Sequence, residues 1–126
     1  MLNDQPISPT IPAADLDRAK RFYQDTLGLK VVEERDEGIK FESGESVFFL
    51  YPTPYAGSAQ HTQATWTVSD LDETMADLRG RGVEFEEYDL PGLKTVNGVA
   101  ETETERGAWF KDTEGNILAV SQDKKA

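Results

Sequence analysis

Apolar positions along the chain follow two rhythms, and each rhythm occurs twice. From Asp15 to Gly28 the residues Leu16, Ala19, Phe22, Tyr23 and Leu27 recur at helical spacing, so about three turns can bury one face and keep the other polar. Asp15 stands where a side chain can accept from the orphan amides of a first turn, and Gly28 suits a left-handed exit. The same signals return at Asp70, with Leu71, Met75 and Leu78 on the stripe and Gly80 and Gly82 after it. Alternating segments flank each helix and predict short strands, Ile7–Ile11 and Thr62–Val68 before, Gly28–Glu34 and Gly82–Tyr88 after.

A hairpin closes each half. Gly38–Phe41 leads through Ser43-Gly44 to Val47–Tyr51, and Gly107–Phe110 leads through Asp112–Asn116 to Ile117–Ser121, with Gly and Asn where turns want them. Asp15-Leu16-Asp17 maps onto Asp70-Leu71-Asp72 and Gly28 onto Gly82, which marks an internal repeat. The predicted fold class is α+β, built from two β-α-β-β-β modules over about 6–52 and 61–122. The Pro- and Gly-bearing segment 53–60 links them. Within one domain spanning 1–126, the second module alone carries a long insertion, Asp89–Arg106, where the first has only Arg35–Glu37. Its Asn97-Gly98 pair is a tight-hairpin signal, and the segment reads either as a lid or as a decorated edge.

Composition narrows the chemistry. The chain has 126 residues, enough for one domain with its own core, so duplicated halves must share that core or pair with another copy. No apolar run approaches the roughly 18 residues of a membrane span, and the polar start MLNDQPISP lacks the apolar stretch of a secretory leader. We therefore expect a soluble, cytoplasmic protein. Zero cysteines remove disulfides, thiolate nucleophiles and zinc-thiolate sites, and one histidine, His61, forms no cluster. A net charge of −11 opposes nucleic acid and anionic membranes as partners, while a cationic small ligand is tolerated better.

Ala14-Asp-Leu-Asp-Arg-Ala-Lys-Arg-Phe-Tyr-Gln-Asp-Thr-Leu-Gly-Leu29 resembles the first helix of vicinal oxygen chelate proteins, the glyoxalase, bleomycin-resistance and dioxygenase superfamily. Trp109-Phe-Lys-Asp-Thr-Glu-Gly-Asn-Ile117 resembles their closing hairpin. The resemblance implies curved mixed sheets around a cleft. It does not select among a superfamily of lyases, dioxygenases, epimerases and inert drug-binding proteins. It also implies where that superfamily's enzymes hold their metal: Ser8, Phe49, Gln63 and Ala119 here. Two of these are apolar and two are neutral, so the set lacks the anionic or imidazole donors that replace a cation's hydration. No metal and no other cofactor is expected.

Strand alternation, anchored on those positions, sorts the remaining side chains. It places Ser8, Thr10, Val47, Phe49, Tyr51, Gln63, Thr65, Ile117 and Ala119 toward the cleft, with Ser121 beside them, and the resemblance adds Trp109 opposite Ala119. Ile7, Ile11, Trp66 and Val68 are expected toward the helices. The aromatic and aliphatic members suit a flat apolar ligand, with the hydroxyl and amide groups orienting it. Three functions stay open: capture of a small apolar or aromatic, cationic or neutral molecule; a lyase or isomerase working without the usual metal, with His61, Glu101, Glu103 or Lys40 as acid or base; and a structural or regulatory subunit. A homodimer is expected from the exposed sheet edges and faces.

Overall fold

The computed structural model describes residues 1–124. The first module runs β1 (Thr10–Ala13), α1 (Leu16–Arg21) continued by a π-helical turn (Phe22–Thr26), β2 (Lys30–Arg35), β3 (Gly38–Ser43) and β4 (Ser46–Pro52). The second runs β5 (Thr62–Thr67), α2 (Leu71–Gly80), a two-strand ribbon β6 (Asp89–Leu90) and β7 (Leu93–Lys94), then β8 (Ala100–Glu101), β9 (Glu105–Lys111) and β10 (Ile117–Asp123). The two four-stranded sheets have orders β1-β4-β3-β2 and β5-β10-β9-β8. In each, the first strand runs parallel to the last, as the helix between them requires, and the others are antiparallel. No helix is long and apolar enough to cross a membrane among the described residues.

Local chemistry sets the helix ends as the sequence predicts. Asp15 Oδ1 accepts from the Arg18 amide and Asp70 Oδ1 from the Glu73 amide, both at 3.0 Å. Both apolar stripes turn inward: Ala19 and Tyr23 from the first helical segment, Leu71 and Met75 from the second, are at most 1% exposed. They meet Ile39, Phe41, Phe48 and Leu50 of the first sheet and Ala108, Phe110, Leu118 and Val120 of the second in one continuous core. Tyr23 packs on Phe48 and Phe41 at ring separations of 5.4 and 5.9 Å.

Two predicted strands fall differently. Ile7 is 97% exposed instead of facing a helix, because β1 starts only at Thr10 and the chain before it lies outside the ladder. Gly82–Tyr88 forms no strand: it touches β9 through a single bridge, Phe85 to Phe110, plus the Glu86 amide donating to the Trp109 carbonyl at 2.7 Å. The edge of β9 is shared, since β8 pairs with Arg106 and Gly107 and occupies the fourth place in the sheet. The Asn97-Gly98 turn is as expected, with φ of 54° and 82° at its two central residues and a bridge between Val96 and Val99.

The halves of the repeat are joined by a buried polar clasp. The Tyr23 hydroxyl donates to Asp112 Oδ2 at 2.6 Å, and the other oxygen of Asp112 accepts the Glu114 and Asn116 amides at 2.9 Å. Asn116 Nδ2 donates to Asp112 Oδ2 and, across the modules, to the Pro12 carbonyl at 2.7 Å. Glu114, whose side chain is fully buried, accepts the Asp15 amide at 2.8 Å and Arg18 Nε at 2.8 Å. The turn Asp112–Asn116 therefore binds the start of the first helix through side chains whose polar atoms are satisfied, as burial demands.

Candidate functional site

Each sheet has one face on the core and one turned away from the helices, and alternation along the strands decides which side chains occupy it. On β4, Phe48 and Leu50 go into the core while Val47, Phe49 and Tyr51 stay half-buried on the other face. On β10 and β9, Leu118, Val120, Ala108 and Phe110 go inward. That leaves Ile117, Ala119 and Trp109 on the open face, and Trp109 lies directly across the ladder from Ala119.

An open cavity of about 710 Å³ sits on this second face. Trp109 and Ile117 form its floor, and Tyr88, just before the insertion, forms a wall together with Leu90 and Leu93 inside it, with Tyr88 edge-on to the indole at 5.7 Å. The Trp109 Nε1 donates to Thr62 Oγ1 at 3.0 Å, which fixes the ring and satisfies its one polar atom. Glu86 and Lys111, ion-paired at 3.4 Å, and His61 stand on the rim. A neighbouring cavity of about 460 Å³ shares Trp109, Thr62 and Leu93 and adds Thr65, Ala119 and Lys94. Pockets of a few hundred Å³, mostly apolar with a few placed polar groups, are the usual size and character for a small organic ligand.

The insertion that walls the cavity is itself held in place. Glu87 Oε1 accepts the Thr95 hydroxyl at 2.6 Å and the Gly98 amide at 2.8 Å, and Thr95 Oγ1 accepts the Tyr88 amide at 2.8 Å. The Thr95 hydroxyl first, then the Gly98 amide, hold the Glu87 carboxyl below its ordinary range. Gly98 cannot be replaced cheaply: a Cβ there would lie 3.1 Å from Phe85 Cβ on a backbone already at positive φ.

The sequence-predicted site residues are only partly assembled. Trp109, Ile117, Ala119 and Thr65 line the two cavities just described, and those cavities include none of Ser8, Thr10, Val47, Phe49, Tyr51 or Gln63. Val47 joins Thr65 instead in a hollow of about 260 Å³ at the seam between the sheets. Phe49 lies on the first sheet with the Arg35 guanidinium 6.0 Å from its ring centre, and that guanidinium is anchored to Glu33 at 2.8 Å. Ser8 and Thr10 are exposed and Tyr51 is half-buried. Gln63 falls at a bulge: Thr62 pairs with Ile117 and Ala64 with Leu118, so Gln63 has no partner and Thr62 takes the open-face position that parity assigns to Gln63.

Sequence reasoning did not identify Thr62, Tyr88, Leu90 or Leu93. The available signal was the run Tyr88-Asp-Leu-Pro-Gly-Leu93, three large apolar side chains flanking a Pro-Gly turn in an otherwise polar insertion. The candidate acid and base groups are dispersed. Lys40 is on the first sheet opposite Phe49. Glu101 is engaged with Lys124 at 2.7 Å and Arg106 at 3.7 Å, and Glu103 is in an exposed turn. His61 Nδ1 lies 3.1 Å from the Thr62 carbonyl on the surface.

The four positions at which the resemblance implies metal ligands do not fit a divalent cation. Phe49 and Ala119 are in matching places on the two sheets, opposite Thr10 and Thr65 in register, and neither carries a donor atom. Among the described residues no group of three or more His, Cys, Asp and Glu side chains is placed to hold a metal ion.

The fold is shared by solved structures of low sequence identity. A glyoxalase/bleomycin resistance protein/dioxygenase from Alicyclobacillus acidocaldarius is similar at a TM-score of 0.73 and 17% identity, covering 99% of this chain and 96% of that one. A lactoylglutathione lyase from Agrobacterium tumefaciens is similar at 0.71 and 18%, covering 94% and 93%. TnmS3, an antibiotic binding protein from Streptomyces sp. CB03234, is similar at 0.68 and 24%, covering 91% and 92%. No curated protein sequence matches the chain. Residues 7–120, from before the first strand to within the last, match the Glyoxalase/Bleomycin resistance protein/Dioxygenase superfamily, and the chain belongs to that family.

Proposed function

We propose that this protein captures a small apolar or aromatic molecule, neutral or cationic, in the cavity on the open face of its second sheet, and does so without a metal. The observation that carries this reading is the edge-on pair of Trp109 and Tyr88 above Ile117, with the indole tethered to Thr62. A ring held at one edge by a hydrogen bond and open on a face is preorganised to stack a planar ligand. The fold is common to a lactoylglutathione lyase and an antibiotic binding protein, so capture over turnover rests on the site's own geometry. Of the candidate acid and base groups, His61 stands on the larger cavity and Glu101, ion-paired with Lys124 and Arg106, on the smaller, while Lys40 and Glu103 line neither. No two of them share a cavity, which favours capture, since acid–base catalysis needs its groups within reach of one substrate.

The test is a thermal-shift screen of planar aromatic compounds, cationic and neutral, with EDTA and with added divalent metals. A ligand present at a hundredfold over its Kd stabilises by about 2.7 kcal/mol, which such a screen reads as a shift of several degrees. The expected result is stabilisation by one aromatic class, unchanged by EDTA, with the compound recovered intact. Stabilisation only when metal is present, or steady conversion of the compound, would replace capture by catalysis.

A further inference from the structure

The two halves of the repeat are unequal at the interface between them. Tyr23 lies eight residues after its capping Asp15, and Leu78 eight after Asp70. Phe41 pairs with Phe48 as Phe110 pairs with Leu118, which makes Ser43 the counterpart of Asp112 at the end of its hairpin strand. On one side the place is filled by a phenol ring, wholly buried and bonded to Asp112. On the other side Leu78 and Ser43 leave a mostly apolar cavity of about 200 Å³, floored by Phe110 and Val120 and flanked by Leu27 and Trp66. Trp66 Nε1 donates to Ser43 Oγ at 2.9 Å, so the indole replaces the missing hydrogen bond without filling the volume. A hydroxyl has one donor and two acceptor lone pairs, so Ser43 retains the capacity for a further bond.

We propose that this cavity is a second ligand site, separate from the one at Trp109, and that it takes a monocyclic phenol or a similar aromatic ring of about the size of the tyrosine side chain. The ring would lie between Leu78 and Phe110 where Tyr23 lies between its helix and Phe41, and its hydroxyl would meet Ser43 where Tyr23 meets Asp112. An apolar cavity on the order of 150 Å³ is enough to admit a benzene-sized molecule.

The experiment uses the full chain with Trp109→Phe, which leaves Trp66 as the sole tryptophan, titrated with p-cresol while its fluorescence is followed. A saturable change with half-saturation on the order of millimolar is expected, as a ligand of so few atoms allows. Leu78→Phe or Leu78→Tyr, which fill the cavity, should raise that midpoint at least tenfold with the far-UV circular dichroism and the cooperative thermal transition retained. A linear, unsaturable response, or a folded Leu78→Phe variant with the same midpoint, overturns the proposal. Should both variants fail to fold, amide chemical shifts of the unaltered protein decide: cresol-induced changes at Leu27, Ser43 and Val68 support the site, and changes confined to the Trp109 cavity overturn it.

Discussion

Tyr23 Oη and Asp112 Oδ2, 2.6 Å apart, connect the first helical segment of one module to the closing hairpin of the other. Burial, and then the charge of Asp112, push the Tyr23 hydroxyl far above its ordinary titration range, so it remains a donor at every physiological pH. Tyr23→Phe removes one hydrogen bond to a charged group and changes little volume. It should lower stability by about 1.5–3 kcal/mol, measured by urea denaturation with an unchanged m-value. A loss below a few tenths of a kcal/mol would show that the clasp contributes nothing net.

Acid should loosen the same interface through Glu114. Burial alone would raise this carboxyl, but the Arg18 guanidinium, the Asp15 amide and the Thr113 hydroxyl outweigh it and hold the group at about 2, below its ordinary 4.5. A depressed folded-state value means the unfolded chain binds the extra proton first. The contribution is therefore present above pH 4.5 and is lost as pH falls toward 2. Thermal unfolding of Glu114→Gln should be less stable than the unaltered protein at neutral pH, with the gap closing through that window. A gap independent of pH would remove Glu114 from the account.

Trp109→Ala should weaken capture of an aromatic ligand by roughly tenfold, since stacking contributes about 0.5–1.5 kcal/mol beyond simple burial. Trp66→Phe is the contrasting variant: it removes the 2.9 Å bond to Ser43 from the core side and should cost about 1 kcal/mol of stability with little effect on that affinity. Isothermal titration of both variants separates the roles, and an affinity indifferent to Trp109 would place the ligand elsewhere.

The stretch Glu101–Glu105 should exchange its amide hydrogens faster than Val47–Leu50, because it is exposed and its neighbours bury little apolar surface. Thr95→Val, which breaks the 2.6 Å bond to Glu87, should extend fast exchange back to Tyr88. A ligand in the Trp109 cavity should slow it. Equal protection in both segments would mean that the wall is rigid.

In solution the protein should be a homodimer. The open face of the first sheet carries Val47, Phe49 and Tyr51, half-buried within one chain, and a second copy related by a two-fold axis is the simplest cover for it. Light scattering at tens of micromolar should give twice the chain mass, and a monomer at that concentration would contradict it.

Much of the architecture was legible because its signals are local. Asp15 and Asp70 cap as their positions imply, and the β4 alternation sends Phe48 and Leu50 inward as period two requires. What escaped depends on competition between segments. Gly82–Tyr88 alternates like a strand, yet β8 takes part of the β9 edge and Glu87 is drawn to Thr95 and Gly98. Parity assigned Gln63 correctly only as far as the ladder is regular, and a single bulged residue hands its place to Thr62. The candidate site was half legible for a third reason: alternation says which face a residue occupies, not which faces meet.

The wall of the Trp109 cavity hangs from one edge of one sheet. Its ribbon Asp89–Lys94 is closed at the base by Tyr88 and Thr95, neither of which belongs to the hydrophobic core, whereas the Gly98 turn beyond it lies against Phe85 and Met75. Residues can therefore be added to or removed from the Asp89–Lys94 ribbon without repacking Phe110, Leu118 or Met75. In a lineage that keeps this scaffold, the shape of the cavity mouth can change through the length of that one ribbon while the hydrophobic core and the Tyr23–Asp112 clasp stay as they are.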